Sequence, residues 1–156
     1  MLEILTDGDK RLRRKSKRVD KIDDSIRTVA ASLVDTMTAN NGIGLAAPQC
    51  GIHKRIIVVL INETPKVLVN PEIVFFSEDK EIGEEGCLSI PQTFIQKKRY
   101  SEITIKYRNL AGHPHLETHS GLNARVIQHE IDHLDGILMT DDELSQDTAE
   151  TPLDAL

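Results

Sequence analysis

The residues best suited to chemistry are Gln128-His129-Glu130-Ile131-Asp132-His133, which contain the pattern H-E-x-x-H. On a helix, side chains four residues apart stack on one face. His129 and His133 can therefore offer two imidazoles to one metal ion, and Glu130, one residue round, can hold a metal-bound water. This is the arrangement of zinc hydrolases that use the glutamate as general base. The same pattern also occurs by chance on half-polar surface helices. Here Leu122, Val126, Ile127, Ile131 and Leu134 make most of the helix circumference apolar, which predicts burial. Buried His, Glu and Asp side chains need partners, and a metal satisfies several at once.

A third ligand is needed, and Glu84-Glu85-Gly86-Cys87-Leu88-Ser89-Ile90-Pro91 offers one. Cys87 sits among glycine, carboxylates and serine rather than on an apolar stripe. A Cys-His-His set leaves a fourth position to water, the open geometry of a catalytic metal. Cys50, beside Gly51, reads instead as a small buried hydrophobe. His53, His113, His115 and His119 fall on turns or an exposed strand, and nothing else at ligand spacing accompanies them.

The elements that position these groups can be read from periodicity. Residues 24–41 carry Ile26, Val29, Leu33, Val34 and Met37 at helical spacing, with Asp24 or Ser25 as the cap and Asn41-Gly42 as the stop. Gly42-Ile43-Gly44-Leu45-Ala46-Ala47-Pro48-Gln49 reads as a compact, close-approach backbone rather than a regular element, either a plain turn or a segment against a ligand. Residues 55–61 and 66–70 are β-branched runs separated by Asn62–Pro65, so two strands joined by a turn, and 72–76 is a candidate third. Residues 101–109 alternate with Ile103, Ile105 and Tyr107 inward, and 114–120 return as the partner of a hairpin. The order predicts an α+β fold: antiparallel or mixed sheets around the central HEIDH helix, with an N-terminal helix. A single domain is expected over 1–140, followed by an acidic, poorly ordered tail at 141–156.

Composition narrows the function. The net charge of −6 and the absence of Trp argue against a general or stacking affinity for nucleic acid. Lys10–Arg18 is basic, and such a run reads as a solvated face. Two cysteines and no export signal point to a reducing, cytoplasmic compartment, and no run is long enough to span a membrane.

Taken together, Gly42–Gln49, Glu84–Pro91 and Gln128–Gly136 resemble the three signature motifs of peptide deformylase, in order and at the right spacing. The resemblance runs from about residue 2 to 140 and includes Gly121–Arg125 leading into the metal helix. It implies that Cys87, His129 and His133 ligate the metal, that Glu130 is the acid/base, and that Gln49 and the Leu88 N–H stabilise the oxyanion. It also implies that Ile43 and Gly44 pair with an extended peptide, that Ile43, Leu122, Val126 and the edge of His129 line a methionine pocket, and that Glu85 and Gly86 border the substrate. Glu85 would pair with Arg99 and hold the cysteine loop. The implied reaction is removal of formate from N-formylmethionyl nascent peptides, with metal-activated water attacking the formyl carbon. The ligand set alone suggests zinc; the resemblance implies Fe2+, with Ni2+, Co2+ or Zn2+ as substitutes, in a monomeric protein.

Two departures from the family pattern stand out. An acidic end replaces the basic C-terminal helix with which many members contact the ribosome, which argues against ribosome docking. Phe94 stands where an arginine is often found, so preference beyond methionine is expected to differ. Two other readings compete with the deformylase. An H-E-x-x-H metallopeptidase usually takes its third ligand downstream, whereas a non-catalytic metal-stabilised module would need neither Glu130 nor Gln49.

Overall fold

A computed structural model describes residues 1–142. Helix α1 (Asp24–Ala39) starts at Asp23, whose side chain accepts from the Ile26 N–H at 3.1 Å. The cap is thus one residue earlier than Asp24. After α1 the chain forms a short strand β1 (Gly44–Ala46) and a 3-10 turn at Ala47–Cys50, so the close-approach segment contains regular structure after all.

Strand β2 (Ile56–Ile61) pairs with β3 (Thr64–Phe76) through a two-residue turn at Asn62 and Glu63, both with positive φ, which matches the twist of a tight hairpin. The turn is shorter than the sequence suggests because Thr64 and Pro65 join β3. Residues 66–70 and 72–76 are one strand rather than two, broken by a register shift beside Asn70. The buried Asn70 amide holds Val19, accepting from its N–H and donating to its C=O at 2.8 Å each. Strands β6 (Glu102–Arg108) and β7 (Pro114–Ser120) form the expected hairpin.

These strands make an antiparallel sheet in the order β1-β2-β3-β6-β7. Helix α2 (Gly121–Leu134) leaves β7 directly and packs Ala124, Ile127, Ile131 and Leu134 on Ile57, Val59, Leu68, Ile103 and Ile105. Helix α1 covers the other face, with Ile26, Leu33 and Met37 against Ile56, Val58 and Val69. Strand β2 reads as an unbroken apolar run because both of its faces are covered.

The remaining strands were not legible as such. Strands β4 (Lys80–Cys87) and β5 (Ile90–Tyr100) form a separate two-stranded sheet. Their sequence is rich in Glu, Lys and Gly and lacks alternation. Much of their apolar support comes from a small cluster in which Ile90 and Ile95 meet Leu5, Leu12, Leu138 and Met139. The N-terminal basic run is partly paired, Arg11 with Asp9 and Arg13 with Asp141. Asp141 and Asp142, expected in the tail, lie in a 3-10 turn at Met139–Asp142, and the rest of that tail lies outside the described residues. Among the described residues no helix is long and apolar enough to cross a membrane.

Candidate metal centre and cleft

Helix α2 and the β4–β5 hairpin meet at three donors. The Cys87 sulfur lies 3.4 Å from His133 Nε2, and His133 Nε2 lies 3.3 Å from His129 Nε2. Donors at ordinary thiolate and imidazole bond lengths around a tetrahedral ion stand about 3.4–3.6 Å apart. The set therefore fits one divalent cation. Cys87, His129 and His133 are the residues of the described chain that group in this way, with all donor atoms within 4.8 Å of one another.

His129 and His133 are held differently. Glu85 accepts from His129 Nδ1 at 2.9 Å, which fixes the tautomer and turns Nε2 toward the donors. Glu85 is itself gripped by Arg99 through Nε at 2.8 Å and Nη2 at 2.9 Å, the pairing the sequence resemblance implied. The third Arg99 nitrogen, Nη1, reaches Asp132 at 2.6 Å. Burial alone would raise the Glu85 carboxyl, but Arg99 and His129 outweigh it and hold it well below the usual carboxylate range. Burial likewise opposes charge on His129, yet its contacts with Cys87 and Glu85 raise it to about 10. His133 also meets Cys87 but has no carboxylate against its ring. Burial and the nearby charge of His129 push it well below an ordinary histidine, and its Nδ1 is buried without a hydrogen bond.

Glu130 is the other unpaired group. Its Oε1 is buried with no hydrogen-bond partner, and burial raises its carboxyl to about 7. Gly44 of β1 faces it so closely that a Cβ there would stand 2.5 Å from Glu130 Oε2 and 2.8 Å from Val126. A glycine is required at that point for the edge strand to reach the carboxylate. Gln49 is oriented by its own backbone neighbourhood: its Oε1 accepts from the Ala46 N–H at 2.9 Å, so Nε2 points at Ser89 Oγ (3.0 Å) and Cys87 Sγ (3.6 Å).

These groups open on a cleft of about 620 Å³ between β1 and the hairpin. Its walls include Ile43, Gly44, Gln49, Glu85, Gly86, Cys87, Leu88, Leu122, Val126, His129 and Glu130. All the site residues expected from sequence line it except His133, which sits behind His129. Leu122 departs from the expected buried stripe: it is 62% exposed, because the first turn of α2 overhangs the cleft instead of the sheet. A second cavity of about 640 Å³ behind α2 contains none of the three donors. Sequence reasoning missed the supporting polar groups Ser89, Asp132 and Arg125. A signal for Arg125 was available, since it lies one helical turn before His129 on the same face.

Comparison with known proteins agrees with this geometry. A sequence model described as polypeptide deformylase matches residues 1–149. A peptide deformylase of Picosynechococcus sp. is 49% identical over 145 residues, covering 90% of this chain and 78% of that protein. The crystal structure of peptide deformylase from Thermotoga maritima superposes with a TM-score of 0.89 at 40% identity, covering 90% of this chain and 96% of that one. A Met-Ala-Ser-bound peptide deformylase from Acinetobacter baumannii gives a TM-score of 0.87 at 35% identity, covering 90% and 97%.

Proposed function

The chain belongs to the polypeptide deformylase family, and on that premise we propose that Cys87, His129 and His133 hold its metal while Glu130 moves the protons. The activity is metal-dependent hydrolysis that removes the N-terminal formyl group from newly made polypeptides. The observation that carries the assignment is Glu130, a buried carboxyl whose Oε1 has no hydrogen-bond partner, beside three convergent donors and lining the cleft.

A divalent ion held by those donors supplies Lewis acidity, making hydroxide available near neutral pH. Following the family resemblance, we assign Fe2+ to the site, with Ni2+, Co2+ or Zn2+ able to replace it; thiolate and imidazole donors are compatible with all four. The residues do the rest. An extended peptide lies along the free edge of β1 at Ile43 and Gly44, with Gly86 of the hairpin opposite, so it binds as an added strand. Its methionine side chain takes the apolar pocket of Ile43, Leu122, Val126 and the His129 ring edge. Glu130, beside the donors and lining the cleft, accepts a proton from the attacking water and delivers it to the leaving nitrogen. The Gln49 amide and the Leu88 N–H face the oxygen on which charge develops, where one such donor is worth about 3 kcal/mol. Water adds to the formyl carbon, the C–N bond breaks, and formate and a free N-terminal amine leave.

Formate release from formyl-Met-Ala-Ser, measured with protein prepared anaerobically with ferrous iron or loaded with nickel, tests this reading. Release that depends on metal, with no cleavage of internal peptide bonds, is the expected result. Cleavage of internal bonds without formate would identify a metallopeptidase instead.

A further inference from the structure

Glu85 receives more donors than a single arginine supplies. Besides Arg99 and His129, it accepts from Arg125 Nη1, at 2.8 Å on Oε2. The same guanidinium reaches two backbone carbonyls of the hairpin, Lys97 O on β5 at 2.8 Å through Nη1 and Glu81 O on β4 at 2.8 Å through Nη2. Arg125 is 8% exposed and projects from α2 one turn before His129. It also forms part of the cleft wall.

Two further facts bear on its role. Glu85 and Asp132 bring two negative charges to this network, and Arg99 and Arg125 bring two positive ones, so removing Arg125 leaves both carboxylates sharing Arg99 and takes one donor from the buried Glu85 that contacts His129. Strand β4 is also shaped to admit the fork. A Cβ on Gly83 would stand 2.9 Å from the Arg125 guanidinium carbon, so the glycine lets the strand lie against it. Arg99 sits on the hairpin and grips Glu85 from its own sheet, whereas Arg125 reaches across from the helix that carries the histidines. With the Arg99–Asp132 pair and the His129–Glu85 contact, Arg125 ties the strand ending in Cys87 to the helix carrying His129 and His133, and it is the helix residue that grips both strands of the hairpin.

We propose that Arg125 is a positioning residue for the metal centre, holding Glu85 against His129 and setting the spacing between the hairpin donor and the helix donors. The inference rests on His129 being a metal ligand. Its test is the affinity of the intact chain for Co2+, measured by competition with a chelator, alongside the thermal midpoint of the metal-free protein. Wild type is compared with Arg125→Met, Arg125→Lys and His129→Ala.

Arg125→Met should weaken Co2+ binding about 10–100-fold, the range for groups that orient a ligand rather than bind the ion. Arg125→Lys retains a charge beside Glu85 but cannot span Glu85, Glu81 and Lys97 at once. It should fall between Met and wild type, and it serves as the informative variant if Arg125→Met does not fold. A lowered thermal midpoint in both variants with Co2+ affinity within about 2-fold of wild type, well short of the 10–100-fold loss expected of an orienting group, would make Arg125 a fold residue only and overturn the proposal. Unchanged affinity in His129→Ala would overturn the ligand assignment, and the proposal with it.

Discussion

The two walls of the site are built on opposite principles. Helix α2 carries two donors and the acid/base on a body whose residues Ala124–Ile131 are all buried, wedged by apolar contacts against the five-stranded sheet. The β4–β5 hairpin carries the third donor on a sheet of only two strands, with exposed faces and little apolar support. It is tied to α2 chiefly by polar contacts, Arg125 and His129 on Glu85 and Arg99 on Asp132, while Lys97 reaches the carbonyls of Met139 and Asp142 in the turn beyond the helix. Packing places the histidines, and ion pairs place the cysteine. Damage to the helix should therefore appear as lost stability, and damage to the hairpin as lost metal and activity.

The sharpest way to break that contrast is a pair of substitutions. Cys87→Ser should reduce metal binding by orders of magnitude while the metal-free protein keeps its thermal midpoint, since Cys87 is only half-buried at the edge of its cluster. Metal content by elemental analysis and a melting curve check it together. Ile127→Ala, on the packed side of α2, should do the reverse: about 3 kcal/mol of stability lost in denaturant unfolding, from transfer and cavity terms, with the folded protein still binding metal.

A pH experiment examines the helix side alone. Burial raises the Glu130 carboxyl from 4.5 to about 7 in the protein without metal. A carboxyl raised on folding stabilises the fold while protonated, so its contribution is full below about 4.5 and is lost as pH rises through 7. Glu130→Gln stays neutral throughout. The metal-free variant should be more stable than wild type by a margin that grows from 4.5 to about 7 in pH toward roughly 3 kcal/mol and then levels off. A margin independent of pH would place the titrating group elsewhere.

The smallest expected effect lies on the outer lip of the hairpin. Phe94 is 67% exposed, lies over Gly86 and borders the cleft. Phe94→Arg should lower kcat/KM about 10-fold for formyl-Met peptides with an apolar residue beyond the methionine. Peptides with a polar residue there should be little affected. Equal losses for both would show that Phe94 shapes the hairpin instead of reading the peptide.

The same division explains what the sequence made legible. His129, Glu130 and His133 were visible because their relation is local, set by the helical repeat. Helix α1 and the β6–β7 hairpin were visible because each buries a periodic face, and strand β2 because an unbroken β-branched run marks a strand covered on both faces. Strands β4 and β5 carried no such period, and their partners are distant: Glu85 meets Arg99 fourteen residues on and Arg125 forty residues on. Cys87 was found by its chemistry and by resemblance, without the hairpin that holds it. Leu122 was misplaced as core because periodicity marks an apolar face without saying whether a sheet or a cleft lies beneath it.

The most direct test of the whole account is Glu130→Ala, with metal content and formate release from formyl-Met-Ala-Ser measured on one preparation. The variant should bind one metal per chain like the wild type and lose turnover by a factor on the order of 10²–10⁴. Turnover retained with metal bound would contradict the central claim, because the buried carboxyl would then not be the group that moves the protons.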